Sequence, residues 1–433
     1  MNRVIKNASW IVVCRIVQAI LGLIISMIMA RYLGPSNFGL LNYAMSVVAF
    51  ALPVMRLGLT SVLVQEVISD PDREGEILGT SIILSLFSAI VCIIGVNLFV
   101  FFANAGERDT LIVCALYSSI LLFQVFEVFN YYFQARLQAK YSSIIALIAY
   151  GVVSVYKLYL LITQKSIYWF AIANTLDYLV IAIGLIIIYR KRCGKKLSFN
   201  KVRAQKLLSI SKFYIISDLM IIIFAQTDRV MLKAMIDNTA TGYYSAAIAC
   251  AGMTQFVFGA IIDSMRPMIF AGKKISEEKY KLNLARLFSI ITYLSLVQSM
   301  LMTAFAPIII SILYGEEYMA AVSALQIVVW YTTFSYLGSA RNIWILAEGK
   351  QKYLWQINLF GAVANVGLNA ILIPIMGIDG AAIASLVTQI LTNVVTGFIF
   401  APVKDVNPIL LKGFNPGFFV ENVRLIKDRG RFL

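Results

Sequence analysis

Long apolar runs alternate with short polar breaks along the chain, and the runs are nearly all of one size. A helix rising 1.5 Å per residue needs about 20 apolar residues to cross a hydrocarbon core of about 30 Å. Runs of that length fall at Trp10–Ala30, Phe38–Val64, Ile77–Phe102, Leu111–Tyr132, Ser142–Ile162, Ile167–Tyr189, Leu207–Met231, Thr241–Phe270, Leu284–Leu313, Ala320–Leu346, Tyr353–Met376 and Ile378–Phe400. The pattern predicts an all-α polytopic membrane protein with twelve transmembrane helices. Only a Met376-Gly377 turn separates the last two. The first run follows Arg3 and Lys6 with no small-residue cleavage site after it, which predicts a retained helix and not a signal peptide.

Composition agrees and excludes the alternatives. Of 433 residues 60% are apolar and 14% charged, with a mean hydropathy of +0.82; a soluble domain has about 25% charged residues to cover itself. Histidine is absent, which removes His-based acid/base catalysis and His-ligated metals. Four of the five cysteines fall inside predicted spans and Cys193 in a basic stretch, so no structural disulfide, metal or cofactor is expected.

The bias of Lys and Arg among the breaks sets orientation. Of 37 such residues, 26 lie on the side holding both termini and only Arg31, Arg108, Lys165 and Lys233 lie opposite. Both termini are therefore expected in the cytoplasm. Much of the +15 net charge is a topology signal. Its strongest piece is Arg190, Lys191, Arg192, Lys195, Lys196, Lys201, Arg203 and Lys206, read as an inter-lobe linker against anionic lipid and not as a nucleic-acid site.

That stretch divides the runs six from six. The expected organisation is a first lobe over 1–190, a linker over 191–206, a second lobe over 207–400 and a short polar cytoplasmic tail over 401–433. Gly39-Leu-Leu-Asn-Tyr-Ala44 and Gly242-Tyr-Tyr-Ser-Ala-Ala247 match at an offset of 203, and Ala171-Ile-Ala-Asn174 and Ala382-Ile-Ala-Ser385 at 211. With six spans each, the two halves would be a parallel repeat about an axis along the membrane normal.

Charges inside the spans are costly, about 2.5–3.5 kcal/mol each near a helix centre, and should face the bundle interior or water. Seven basic residues (Arg15, Arg56, Lys157, Lys212, Arg229, Arg266, Arg341) and five acids (Glu127, Asp177, Asp218, Asp228, Asp263) are so placed. Several lie on polar stripes: Arg15, Gln18, Gly22 and Ser26; Asn42, Ser46, Pro53 and Arg56; Gln255, Gly259, Asp263 and Arg266; Ser211, Asp218 and Arg229. Arg15, Arg56, Lys212, Arg266 and Arg341 fall in the cytoplasmic half. Snorkelling to the interface or pairing between helices accounts for such residues, and for Lys212 and Arg341 it does so as well as any site would. The stripes under Arg15, Arg56 and Arg266 point instead to a cationic cavity open to the cytoplasm, suited to a phosphate or pyrophosphate through bidentate guanidinium contacts. Asp263 precedes Arg266 by three residues and would partly neutralise it. Asn and Thr rows in spans eleven and twelve read as inter-helix hydrogen bonding. Tyr131, Tyr132, Tyr168, Trp169 and Tyr243 read as an interfacial belt.

Ala30-Arg-Tyr-Leu-Gly-Pro-Ser-Asn-Phe-Gly-Leu-Leu-Asn-Tyr-Ala44, Gly58-Leu-Thr-Ser-Val-Leu-Val-Gln-Glu-Val67, Asp228, Gly242-Tyr-Tyr-Ser-Ala-Ala247 and Gly377-Ile-Asp-Gly-Ala-Ala-Ile-Ala384 together resemble the Wzx-type O-antigen and polysaccharide-repeat flippases of the MOP superfamily. That superfamily also holds the MATE drug exporters and the lipid II flippases. The resemblance covers residues 1 to about 400. It implies a V-shaped bundle of two six-helix lobes working by alternating access. The implied substrate is an undecaprenyl-pyrophosphate-linked oligosaccharide, moved from the cytoplasmic to the periplasmic leaflet of a bacterial inner membrane.

Lipid II flippases carry functional arginines on spans one, two and eight, where Arg15, Arg56 and Arg266 stand here, a correspondence of span and face. They also carry two further C-terminal spans, for which the tail is too short and polar. On this reading the three arginines hold the pyrophosphate. Asp218, Asp263 and Glu127 are candidates for ion coupling, since buried carboxylates titrate near neutral pH, and inter-helix pairing is the other account of each. The expected partners are the lipid-linked glycan, membrane lipids and downstream polymerase and chain-length machinery, with no nucleic acid. A MATE-like exporter of cations is the alternative function. A membrane glycosyl polymerase or ligase is disfavoured, because the external breaks are short and carry no paired carboxylates.

Overall fold

The computed structural model describes residues 2–192 and 195–429, with the side chains of residues 2–13, Arg15, Ser61, Phe213, Val423 and 425–429 outside that description. Cys193 and the end of the tail therefore lie outside the described residues. Every regular element among them is helical. The chain runs α1 (Asn2–Met55), α2 (Leu59–Ser69), α3 (Glu74–Ala103), α4 (Arg108–Ser118), α5 (Ile120–Gln124), α6 (Val128–Ala135), α7 (Ala139–Ile162), α8 (Ile167–Arg192), α9 (Lys201–Met235), α10 (Asn238–Ala251), α11 (Gln255–Ile275), α12 (Glu277–Tyr314), α13 (Ala321–Ala347), α14 (Leu354–Ile390), α15 (Thr396–Ile399), α16 (Asn407–Phe414) and α17 (Pro416–Arg429). Eight helical stretches among the described residues are long and apolar enough to cross a membrane, or nine with α9 taken as one bent span.

Four of those stretches run to 38 residues or more, too long for one crossing, and two of them break at a glycine. Ile16–Met55 has 40 residues, about 60 Å if straight, twice the hydrocarbon core. It is broken at Gly34, whose φ of 70° and ψ of 169° leave the helical region just before Pro35. α14 is broken likewise at Gly377 (φ 59°, ψ −131°), where the sequence places a turn.

The helices are turned inside out relative to those of a soluble protein. On α3 the side chains facing the protein are Ser81, Ser85, Ser88, Ala89 and Cys92, while Ile83, Phe87, Ile90, Ile94, Leu98 and Phe102 point outward. Small residues let helix backbones approach, and lipid is as good a solvent for Phe as the core is. An apolar surface of that extent would be untenable in water.

The chain forms two compact units, Met1–Gly242 and Tyr243–Leu433. The first has a core of Leu40, Val47, Val100, Cys114, Leu121 and Phe170, and a second cluster around Leu63, Phe129, Phe133 and Leu185. Tyr132, expected in an interfacial belt, is buried in that cluster edge-on to Phe133 and Tyr189, because its helix turns it inward. The second unit is built on Phe258, Ile269, Tyr280, Phe288, Ile343 and Trp344.

The basic stretch lies within the first unit and is strapped down. Residues 195–200 run across the start of α3 so closely that a Cβ on Gly75 would lie 2.3 Å from the Lys196 carbonyl and one on Gly79 2.5 Å from that of Ser198. Ser198 N donates to Gly75 O and Asn200 N to Thr80 Oγ1. Asn200 then caps α9 by accepting from the Val202 and Arg203 amides. Arg203, only 8% exposed, reaches Asp70 at 2.8 Å and Glu66 and Glu76 at 3.3 Å each. Lys206 pairs with Glu66 at 2.7 Å and Lys195 with Glu74 at 3.6 Å. Three of the eight basic residues that read as a lipid contact, Lys195, Arg203 and Lys206, are thus paired within the protein.

The tail also departs from expectation. Instead of a bare polar end, α16 and α17 pack on α12, burying Val403, Val406, Ile409 and Leu410. Tyr293 donates to the Phe414 carbonyl and stacks on Phe419, and Arg286 donates to Asn422. The apolar side of α16 was hidden by its brevity between Pro408 and Pro416.

Candidate functional site

The polar centre of the first unit is built where a helix stops. α1 ends at Met55, and Leu57 and Gly58 take positive φ values of 52° and 64° before α2 begins. Arg56 sits in that break, inside the run Phe38–Val64 that the apolar pattern reads as one helix. Its Nη2 donates to Glu127 Oε2 at 2.6 Å, with the two side chains 34% and 22% exposed. Glu127 ends a 3-10 turn, Val125–Glu127, that interrupts the helix from α5 to α6. Both partners of the pair therefore stand at irregular backbone, which at membrane depth is tolerated only where it is buried in protein or lines a water-filled cavity. Arg56 Nε is buried without a partner. Asp218 of α9 lies within electrostatic reach of the same guanidinium, and Tyr131 lies beside both.

The structure thus brings together Arg56, Glu127 and Asp218. Asp263 and Arg266 belong to the second unit, where they pair along one face of α11 at 2.9 Å with both side chains largely exposed. Arg15 lies on α1, with its side chain outside the described residues.

Three further basic residues inside the spans are held by hydrogen bonds within the protein. Lys157 donates to Asn174 at 2.8 Å. Arg229 donates to Gln226 at 2.8 Å, and the same Gln226 oxygen accepts from Ser46 at 3.0 Å. Arg341 is buried in the second unit and donates to the Thr392 carbonyl at 2.7 Å and to Thr396 Oγ1 at 3.1 Å. It braces Leu391–Val395, a π-helical turn that breaks the regular backbone ladder. Asn365 and Asn369, fully buried, hydrogen-bond each other.

Sequence reasoning missed a cavity of about 410 Å³ in the first unit, with Glu127 in its wall. Gln18 of α1, Asn130 and Gln134 of α6, and Ser142 and Ser143 of α7 supply its other polar groups, and Ile181 and Leu185 of α8 close one side. The signal was present: Glu127, Asn130 and Gln134 stand at 0, +3 and +7, one face of a helix. An apolar-run reading passes over such a row because amides carry no charge. Glu107, at the other end of this unit, is held below the usual carboxylate range. Partial burial alone would raise it, but the hydrogen bond from Lys233 at 2.6 Å prevails.

Comparison with known proteins bears on the whole chain. The model of a family described as polysaccharide biosynthesis protein matches residues 4–273. An uncharacterized membrane protein of Methanocaldococcus jannaschii, MJ1068, is 27% identical over 239 residues, 51% of this chain and 46% of that protein. The chain thus matches about half the length of that curated relative. Among solved structures, the lipid II flippase MurJ in an inward closed conformation superposes with a TM-score of 0.75 at 14% identity, covering 95% of this chain and 91% of that one. A MATE family multidrug resistance transporter of the MOP superfamily, inward-facing, gives 0.69 at 14% identity, covering 90% and 95%. At such identities these likenesses concern the fold.

Proposed function

This chain belongs to the polysaccharide biosynthesis protein family, and from that premise we propose that it is a flippase for a lipid-linked oligosaccharide. The cargo is an undecaprenyl-pyrophosphate-linked repeat unit, carried from the cytoplasmic to the periplasmic leaflet of a bacterial inner membrane by alternating access. Twelve crossings in two six-helix lobes, with both termini cytoplasmic, complete the reading, and the released glycan passes to polymerase and chain-length machinery.

The observation that carries this reading is Arg56, a partly exposed guanidinium held at a helix break inside a membrane-spanning unit. Its partner Glu127 suggests how transport is coupled. A diphosphate entering the site competes with the Glu127 carboxylate for Arg56. The displaced Glu127 carboxylate is then the candidate for ion coupling. Asp218, near the same guanidinium, is a second candidate. The sequence assigns Arg15 and Arg266 to the phosphate as well, and Asp263 to coupling; each is tested by its own alanine variant.

Cells depleted of the protein should accumulate completed lipid-linked repeat units on the cytoplasmic leaflet. Wild type should clear them, and Arg56→Ala should not. Clearance by Arg56→Ala at the wild-type rate refutes the site, and absence of any accumulation refutes the flippase. A second reading, a cation exporter, is favoured by the two carboxylates, Glu127 and Asp218, that stand against a single Arg56. It requires that the protein lower cellular levels of a lipophilic dye cation and that Glu127→Gln abolish this.

A further inference from the structure

We propose that the cavity beside Glu127 is a sugar subsite, holding one pyranose ring of the translocated glycan by its hydroxyls. The inference rests on the lipid-linked glycan reading and adds to it a place for the sugar away from the phosphate. A volume of about 410 Å³ falls within the ~300–1,000 Å³ of small-molecule sites.

The lining decides the class of ligand. Among the described residues, the amides of Gln18, Asn130 and Gln134 make no hydrogen bond within the protein, and all three border the cavity. Each offers two N–H donors and a carbonyl acceptor, which suits a hydroxyl that must both give and receive. Ser142 and Ser143 donate to the Ala139 carbonyl and keep lone pairs toward the cavity. Opposite, Ile181 and Leu185 stand one turn apart on α8 and present an apolar wall. A pyranose has this same division, polar around its rim and apolar on its C–H face.

The carboxylate in the wall, Glu127, is already neutralised by Arg56, so a cation finds no unpaired acid. Among the described residues no arginine or lysine borders the cavity. The lining suits a neutral, hydroxyl-rich group. Its junction with Arg56 through Glu127 places the sugar next to the proposed phosphate anchor.

The test uses the full-length protein in lipid nanodiscs, since maltoside detergents carry a sugar headgroup of their own. The probes are methyl pyranosides of glucose, galactose, mannose, rhamnose and N-acetylglucosamine, followed by saturation-transfer NMR. At least one should bind with a dissociation constant in the millimolar range. Asn130→Ala and Gln134→Ala should each weaken it about tenfold, and Ala146→Phe, which fills the cavity, should abolish it. Among the described residues these side chains have no hydrogen bond to lose, and elution as a single symmetric peak checks the fold. Inorganic pyrophosphate, the counter-probe, should bind all variants alike. If no pyranoside binds wild type, or if the three variants bind as wild type does, the subsite is refuted. Wild-type protein that binds a pyranoside in a cavity-dependent way yet fails to clear accumulated lipid-linked glycan would uphold the subsite and refute the flippase.

Discussion

Gly39 and Gly242 are the two glycines that the internal repeat sets in register, and in the first unit they lie against each other. A Cβ on Gly39 would stand 1.8 Å from the Asn238 carbonyl oxygen and 2.6 Å from Gly242 N; one on Gly242 would stand 2.0 Å from the Pro35 oxygen. Ordinary contact begins near 3.4 Å, so alanine requires the backbones to separate by about 1.6 Å at Gly39 and about 1.4 Å at Gly242. Both neighbours are main chain and cannot rotate away. Two effects of opposite sign compete. Alanine is favoured over glycine inside a helix by about 1 kcal/mol, while overpacking of a close contact costs about 1–3 kcal/mol. The required separation is large enough for the second to win, and each substitution should destabilise by about 1–2 kcal/mol net. For a unit of this size that is a fall of roughly 2–8 °C in Tm. Because both side chains open the same gap, the double variant should lose distinctly less than the two losses added together. Thermal unfolding of the four proteins in nanodiscs, monitored by loss of the monodisperse peak, measures all of this. A gain in Tm for both single variants, as helix propensity alone dictates, would refute the close approach.

Other consequences can be checked separately. Asp70 is held below the usual carboxylate range, chiefly by the hydrogen bond from Arg203. A depressed value gives stability that is present above the ordinary Asp value of about 4 and lost as pH falls through the native one. Hydrogen-exchange protection of residues 195–203, corrected for intrinsic rates, should stay level from pH 8 to 5 and fall only in acid, with Asp70→Asn removing the dependence. Arg341→Met removes the hydrogen bonds to the Thr392 carbonyl and to Thr396 Oγ1 and should cost about 1–3 kcal/mol, lowering Tm while glycan clearance per folded molecule is unchanged; lost clearance at normal Tm would contradict a bracing role. Leu410→Ala, at a site 4% exposed, should cost about 2–5 kcal/mol, whereas a tail that were merely an appendage would show no change in Tm.

What the amino-acid pattern reveals and conceals has a physical basis. Apolar length reports crossings because the bilayer imposes it, and glycines before or within turns report where crossings end, as at Gly34 and Gly377. The break at Arg56 is concealed because Met55, Leu57 and Leu59 continue the apolar run while Leu57 adopts a backbone angle that no propensity predicts. Arg56 and Glu127 are each visible as misplaced charges, but they are 71 positions apart and only the fold joins them. The strap of 195–206 is concealed for a different reason. Its basic residues look like one solvated run, and their carboxylate partners come from a separate stretch, Glu66 to Glu76. Asn130 and Gln134 were overlooked because uncharged amides in a span resemble ordinary helix glue, and only the empty space before them distinguishes a lining from a contact.

The strapped segment bears on where the protein can be labelled. A fluorescent reporter or affinity peptide would ordinarily be inserted in the longest polar stretch, between α8 and α9. Added residues there would lift Lys195 and Arg203 from their carboxylates and pull Ser198 away from Gly75. The turn between α3 and α4 is the better host. At its tip Ala105 and Gly106 are exposed, and Gly106 has open space on the side where a Cβ would project, so residues added between them lengthen an exposed turn.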